Sequence, residues 1–251
     1  FSVIHISLLP ESFKKLYLMK KTLMFLMPAM LLASCAGGNA DKDKAKNEYK
    51  NALSDSITIA ERQIDSCENK IKILTDNVNQ WLRDFTVVDN KREVESYYIF
   101  NGWQDRYPLQ NTGLVARISN GERLELIAAL KGSTFNNIRV ECGENAVESA
   151  IVPHDQALNY RREGLNTVMF SGAQADSVAN LIADNELNNI SVVFLEDGKT
   201  KGSWRMPEDY KKMVSATWML YSSRTQQIKL ENYMKLLCRK IEILRTHKDR
   251  E

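Results

Sequence analysis

The sequence predicts an α+β protein. An antiparallel β domain, a sandwich or open barrel with one helix, is flanked by two long heptad-patterned helices that form an antiparallel coiled-coil stalk. Three observations predict it. Two long runs repeat apolar residues with spacings that alternate four and three, the period of a helical seam. Between them the apolar period shortens to that of a strand. Asn-Gly and Asp-Gly pairs punctuate this middle region as turns.

The first arm spans 43–84. From Asp43 to Arg83 there is no Pro or Gly, and Leu53, Ile57, Ala60, Ile64, Cys67, Ile71, Leu74, Val78 and Trp81 mark the seam. The residues between them are mostly charged or amide side chains, which suit water. A helix of this length is about 60 Å long at 1.5 Å per residue. Its narrow apolar stripe requires a partner, since an isolated helix draws little stability from propensity alone.

The second arm, 207–247, supplies one. Pro207-Glu208-Asp209 is a favourable first turn, with Pro near the start and acids at the positive helix end. Met213, Ala216, Leu220, Ser223, Gln227, Leu230, Met234, Leu237, Ile241 and Leu244 continue the four-three alternation. Arg245, His247, Lys248 and Arg250 suit the negative end. Antiparallel pairing sets Trp81 near Met213, Leu53 near Ile241 and Cys67 opposite Gln227. Self-association through the same seams is the competing arrangement.

The β-rich region spans 85–206. Ser119-Asn120-Gly121-Glu122 separates the runs 113–118 and 123–130, and its Asn-Gly pair signals a two-residue hairpin loop. Further strands are expected at 137–142, 146–151, 166–170, 190–195 and 202–206, with Asp197-Gly198 turning between the last two. One helix, 173–184, presents Val178, Leu181 and Ile182 to the sheet, with Ser171-Gly172 as its cap.

Ahead of the arms, Met19-Lys20-Lys21 precedes an apolar run from Thr22 to Leu32, then Ala33-Ser34-Cys35. A basic start, a short apolar core and small residues before a break form a secretory signal. The run falls short of the roughly 20 apolar residues that span a bilayer. Leu32-Ala33-Ser34-Cys35 resembles the lipobox of bacterial lipoproteins. That resemblance implies a signal peptide at 19–34, a diacylglycerol on the Cys35 sulfur, and a lipid-anchored linker at 35–42. It further implies the envelope of a Gram-negative bacterium. Ala36, where an inner-membrane retention signal has Asp, points to the outer membrane, with the periplasmic or surface face left open. Residues 1–18 read as an overextended start or a cloning remnant, outside the fold.

Removing residues 1–34 takes away Lys14, Lys15, Lys20, Lys21 and Glu11. The 34 basic and 32 acidic residues become 30 and 31, and the charge moves from +2 to −1. No positive field then remains to favour nucleic acid. Cys67, Cys142 and Cys238 are an odd set without paired spacing, neither a disulfide framework nor a zinc site, although an oxidising envelope allows one pair to form.

Chemistry is sparse, and no cofactor or metal is expected. The aromatic segment 97–107 reads first as core packing or hinge support between arm and sheet, and alternatively offers Tyr98, Trp103 and Tyr107 as a stacking surface for a glycan, a small ligand or a protein. His154, with Cys142, Asp155 and the acids Glu141, Glu144 and Glu148, carries the hydrolase alternative. Asp155 cannot orient the imidazole, because neighbouring residues point apart. Arg161-Arg162 reads as an exposed loop pair. Together these features predict a non-enzymatic, lipid-anchored envelope protein that holds a β domain away from the membrane. Its role is structural, adaptor or protein-binding. Its partners are the membrane, through Cys35, and an envelope protein or a second copy through the arms.

Overall fold

The computed structural model describes residues 39–89, 96–120 and 122–250, with side chains from residue 43 onward. Cys35, the lipobox and the leader lie outside the described residues. The chain is α+β, with antiparallel sheets and three α-helices among those residues. In order they are α1 (Asn39–Trp81), a 3-10 turn (Leu82–Asp84), β1 (Phe85–Val88), β2 (Tyr97–Phe100), β3 (Gly113–Ser119), β4 (Arg123–Lys131), β5 (Asn137–Cys142), β6 (Asn145–Glu148), β7 (Asn159–Arg162), β8 (Leu165–Ser171), α2 (Ala173–Asp184), β9 (Ser191–Glu196), β10 (Lys199–Arg205) and α3 (Glu208–Arg250).

Two compact units divide the chain, Ala60–Ile241 and a smaller one holding the described residues up to Ile59 and from Glu242. In the larger unit, a six-stranded sheet has the order β1-β2-β3-β4-β8-β7 and a four-stranded sheet the order β10-β9-β5-β6. One apolar core joins them. It takes Leu114, Leu126 and Phe170 from the first sheet, Ile138 and Phe194 from the second, Val178 and Ile182 from α2, and Met213 from α3. Every residue of β3, and all of β4 except its two ends, is buried. This explains why these strands read as nearly continuous apolar runs.

The β3–β4 loop departs from the two-residue expectation. Ser119 pairs with Arg123, so three residues separate the strands, and the Glu122 amide donates to the Ser119 carbonyl at 3.0 Å. Asn120 takes a left-handed φ of 48°, which its short amide side chain tolerates. Asp197-Gly198 turns β9 into β10 with φ of 51° and 76°, as Asp-Gly at a two-residue turn requires. Glu163-Gly164 makes an equivalent turn between β7 and β8 with φ of 52° and 83°.

Strands β1, β2 and β7 add to those expected. β7, Asn-Tyr-Arg-Arg, buries only Asn159 and is held by its backbone ladder to β8. The Asn166 side chain, fully buried, accepts from the Phe135 amide at 3.0 Å and donates to Asn159 Oδ1 at 2.9 Å. Asn159 in turn donates to the Val152 carbonyl at 2.7 Å. This amide chain ties the edge of the large sheet to the segment entering β5.

Helix α2 begins at Ala173 as expected, but Ser171 does not cap it. Gly172 occupies the N-cap position at φ 84° without a side-chain bond, a conformation open to a residue lacking Cβ. Helix α3 opens with the Lys211 amide donating to the Pro207 carbonyl at 3.1 Å. The Lys211 ammonium, though the residue is buried, donates to the Asn188 carbonyl at 2.8 Å. Within Ala60–Ile241, Val78 of α1 clusters with Ala216 and Leu220 of α3 over Phe85 and Ile118. Further along, the Tyr233 hydroxyl donates to Gln63 Oε1 at 3.5 Å. In the smaller unit, Lys248 Nζ donates to Ser54 Oγ at 3.3 Å.

Candidate functional site

The aromatic segment divides between different surroundings. Tyr98 and Tyr97 are neighbours on β2 and so face opposite sides of the sheet. Tyr98, half-buried, packs onto the cluster of Val78, Phe85, Ile118, Ala216 and Leu220. Tyr107, also half-buried, meets Tyr97 edge to face at 5.7 Å on the other side. Trp103 is only 4% exposed and lies edge to face with Tyr210 of α3 at 4.6 Å. The three residues therefore do not line one recess.

Trp103 belongs instead to an aromatic clasp. Tyr210 touches Trp204 of β10 at 4.9 Å as well as Trp103, and the Arg106 guanidinium stacks 4.3 Å from the Trp103 ring centre. Arg106 also pairs with Asp209 at 2.7 Å. A Cβ on Gly113 would come within 3.1 Å of the Tyr210 ring, so the glycine leaves room for this contact. These contacts bind the 101–112 segment to the first turn of α3, and the aromatic area goes into packing.

A second cluster lies on the large sheet. Arg117 and Glu125 are directly opposite on β3 and β4, with Arg117 Nε 2.7 Å from Glu125 Oε2. Arg123 approaches the other carboxylate oxygen at 2.7 Å. Arg117 Nη1 donates to the Tyr107 hydroxyl at 3.1 Å, and its guanidinium lies 4.5 Å from the Tyr97 ring centre. The sequence carried a signal for this group, two charges inside apolar strands flanking one turn. Buried charge survives only when it is paired and hydrogen-bonded, as here.

His154 does acquire a carboxylate, though not Asp155. Its Nε2 lies 2.9 Å from Glu196 Oε1, while Lys201 Nζ and the Thr134 hydroxyl each reach Glu196 Oε2 at 3.0 Å. The His154 bond, followed by those from Lys201 and Thr134, pulls the Glu196 pKa down to about 2. Asp155 instead accepts the amides of Ala157, Leu158 and Asn159, which hold its carboxyl below the usual range. Thr134 donates to the carboxylate rather than to the imidazole. Cys142 is buried at the end of β5, pairing with Asn145 across the β6 turn.

Glu141 and Glu148 are bridged by Arg139, at 2.7 and 3.6 Å. Glu144 and Arg161 are exposed, and Arg162 pairs with Glu163 at 3.6 Å on the surface. A shallow cleft of about 380 Å³ is lined by Glu186, Leu187, Glu208, Asp209, Lys211 and Lys212, with Leu187 fully outward. Among the described residues no group of three His, Cys, Asp or Glu side chains is placed to hold a metal, and no helix is long and apolar enough to cross a membrane. Cys67, Cys142 and Cys238 are free thiols.

The chain matches no protein-family model, no curated protein and no solved structure.

Proposed function

We propose that the chain is a non-enzymatic lipoprotein of a Gram-negative cell envelope, tethered through Cys35 in the outer membrane. Its two long helices pair as an antiparallel coiled coil that holds the β domain away from the bilayer. There it serves as an adaptor or structural element that binds another envelope protein. The lipobox-like Leu32-Ala33-Ser34-Cys35 supports the tether. Two acyl chains or more are needed for firm attachment, at about 0.8 kcal/mol per buried methylene.

The observation that carries the arms is seam burial. Leu53, Ile57, Ala60, Cys67 and Val78 are buried, and Ile64, Ile71, Leu74 and Trp81 are half-buried. On α3, Met213, Ala216, Leu220, Leu237 and Ile241 are buried, and Ser223, Gln227, Leu230, Met234 and Leu244 are half-buried. Both helices hold 43 residues, roughly 65 Å each. The Gln63–Tyr233 contact and the cluster shared by Val78, Ala216 and Leu220 support antiparallel pairing in the register that the heptads favour.

Small-angle scattering of the chain, begun at residue 36 to omit the lipid site, tests the arms. The expected distance distribution has a tail reaching beyond the β domain by about the helix length. A compact distribution, with the arms folded onto the β domain, rejects the proposal.

A further inference from the structure

Beyond the seam, the helices carry a second apolar column. With Ile57, Ile64, Ile71 and Val78 as a and Cys67 and Trp81 as d, α1 places Gln63, Lys70 and Asn77 at g and Ser66, Ile73 and Gln80 at c. In α3, with Met213, Leu220 and Ile241 as a, Met219, Gln226, Tyr233 and Lys240 are g, and Ser222, Lys229 and Leu236 are c. Columns c and g adjoin on a helical wheel. Gln63 and Tyr233, both g residues, touch, so within Ala60–Ile241 these columns lie on one side of the pair.

That side differs from the others in two respects. It exposes Ile73 and Leu236, each 61% accessible, and Met219 at 41%. Over residues 60–81 of α1 and 213–241 of α3 it also carries no acid: Glu61, Asp65, Glu68, Asp76 and Glu231 all fall at b, e or f, while Lys70, Lys229 and Lys240 remain on it. Each helix keeps the apolar character along its own length, with Ile59 at c of α1 and Ile243 at c of α3, both exposed. Ile228, at b, is the exception.

We infer that this c/g face docks an amphipathic helix of a partner protein whose apolar stripe is flanked by carboxylates. The inference rests on the paired-arm reading above and names the partner's chemistry. Charge complementarity selects the occupant: over those stretches the face offers lysines and no acid, so glutamates flanking a Leu stripe meet opposite charge. Face-to-face pairing of two copies brings like charges together. Burial in lipid suits a denser apolar face than one filled with Ser66, Gln63, Asn77, Ser222 and Gln226.

The test uses the full chain carrying Cys35→Ala and fluorescein-labelled helical peptides of about four heptads, with a Leu stripe flanked by Glu or by Lys. The Leu/Glu peptide is expected to bind in preference to Leu/Lys. Either Ile73→Glu or Leu236→Glu should weaken it about tenfold or more, with Ile228→Glu neutral. The inference is overturned if Leu/Lys binds as well, or if binding survives both substitutions. It is also overturned if the same substitutions instead abolish self-association or binding to anionic phosphatidylglycerol vesicles. Circular dichroism of a seam variant, Leu237→Glu, separates the two levels. Helicity unchanged by Leu237→Glu refutes the paired arms themselves. Helicity lost there, together with no Leu/Glu binding to the parent chain, refutes the docking face alone.

Discussion

Arg117 and Glu125 face each other across the β3–β4 ladder at 2.7 Å, with side chains only 7% and 2% exposed. Arg123 meets the second Glu125 oxygen from the start of β4, so the carboxylate is held from two directions. A pair so far from water is costly to make and more costly to break. Glu125→Ala should therefore destabilise the fold by about 3–5 kcal/mol in urea unfolding, by leaving Arg117 buried without its carboxylate. The double change Arg117→Met with Glu125→Leu should cost less than Glu125→Ala alone. A double variant at least as unstable as the single would contradict this reading.

Glu196 sets an acid-sensitive contact. Its pKa, about 2 in the fold against an ordinary 4.5, makes its bonds to His154, Lys201 and Thr134 a source of stability that is complete above about pH 4.5. That contribution falls away as the pH drops toward 2. The stability difference between the parent chain and Glu196→Gln should be widest at neutral pH and close over that window. A gap independent of pH between 6 and 2, in unfolding curves at about one-unit steps, would show that ionised Glu196 contributes nothing.

Asp176 behaves oppositely. Burial on α2 raises its pKa, against weaker opposing effects from the Tyr221 hydroxyl and Lys229. Its ionised form at neutral pH is thus disfavoured by folding. Asp176→Asn should raise the melting temperature at pH 7, with the gain shrinking as the pH falls through the raised value and gone below the ordinary carboxylate value. A loss of stability at pH 7 would count against the assignment.

The buried amide chain offers a fourth stability test. Asn166→Leu removes the acceptor of the Phe135 amide and the donor to Asn159, leaving buried polar groups without partners. Each such group costs about 1–3 kcal/mol, so the variant should be less stable despite its greater apolarity. Hydrogen exchange should quicken first at Phe135. Unchanged exchange there would mean that the bond carries little.

Much of this architecture was legible because burial imposes a period. The β3–β4 hairpin, α2 and the seams of α1 and α3 follow apolar spacing, and each spacing survives as burial in the fold. The shortest edges were not legible: β7 buries one asparagine, and its ladder to β8 is a backbone property with little side-chain signature. The ion pair was hidden by one residue of register. A two-residue loop at Asn120-Gly121 sets Arg117 opposite Leu124, and the third loop residue moves it opposite Glu125. His154 likewise found Glu196, 42 residues away, a proximity no local pattern encodes. The aromatic segment was legible as aromatic, but strand alternation and the Tyr210 clasp divided it between two faces.

The tether is tested most directly by the intact mass of the protein extracted from bacterial envelopes. The expected species begins at Cys35 and carries added acyl mass, and Cys35→Ala abolishes both the acylation and the membrane association. A Cys35→Ala protein that stays acylated and membrane-bound would contradict the lipoprotein proposal.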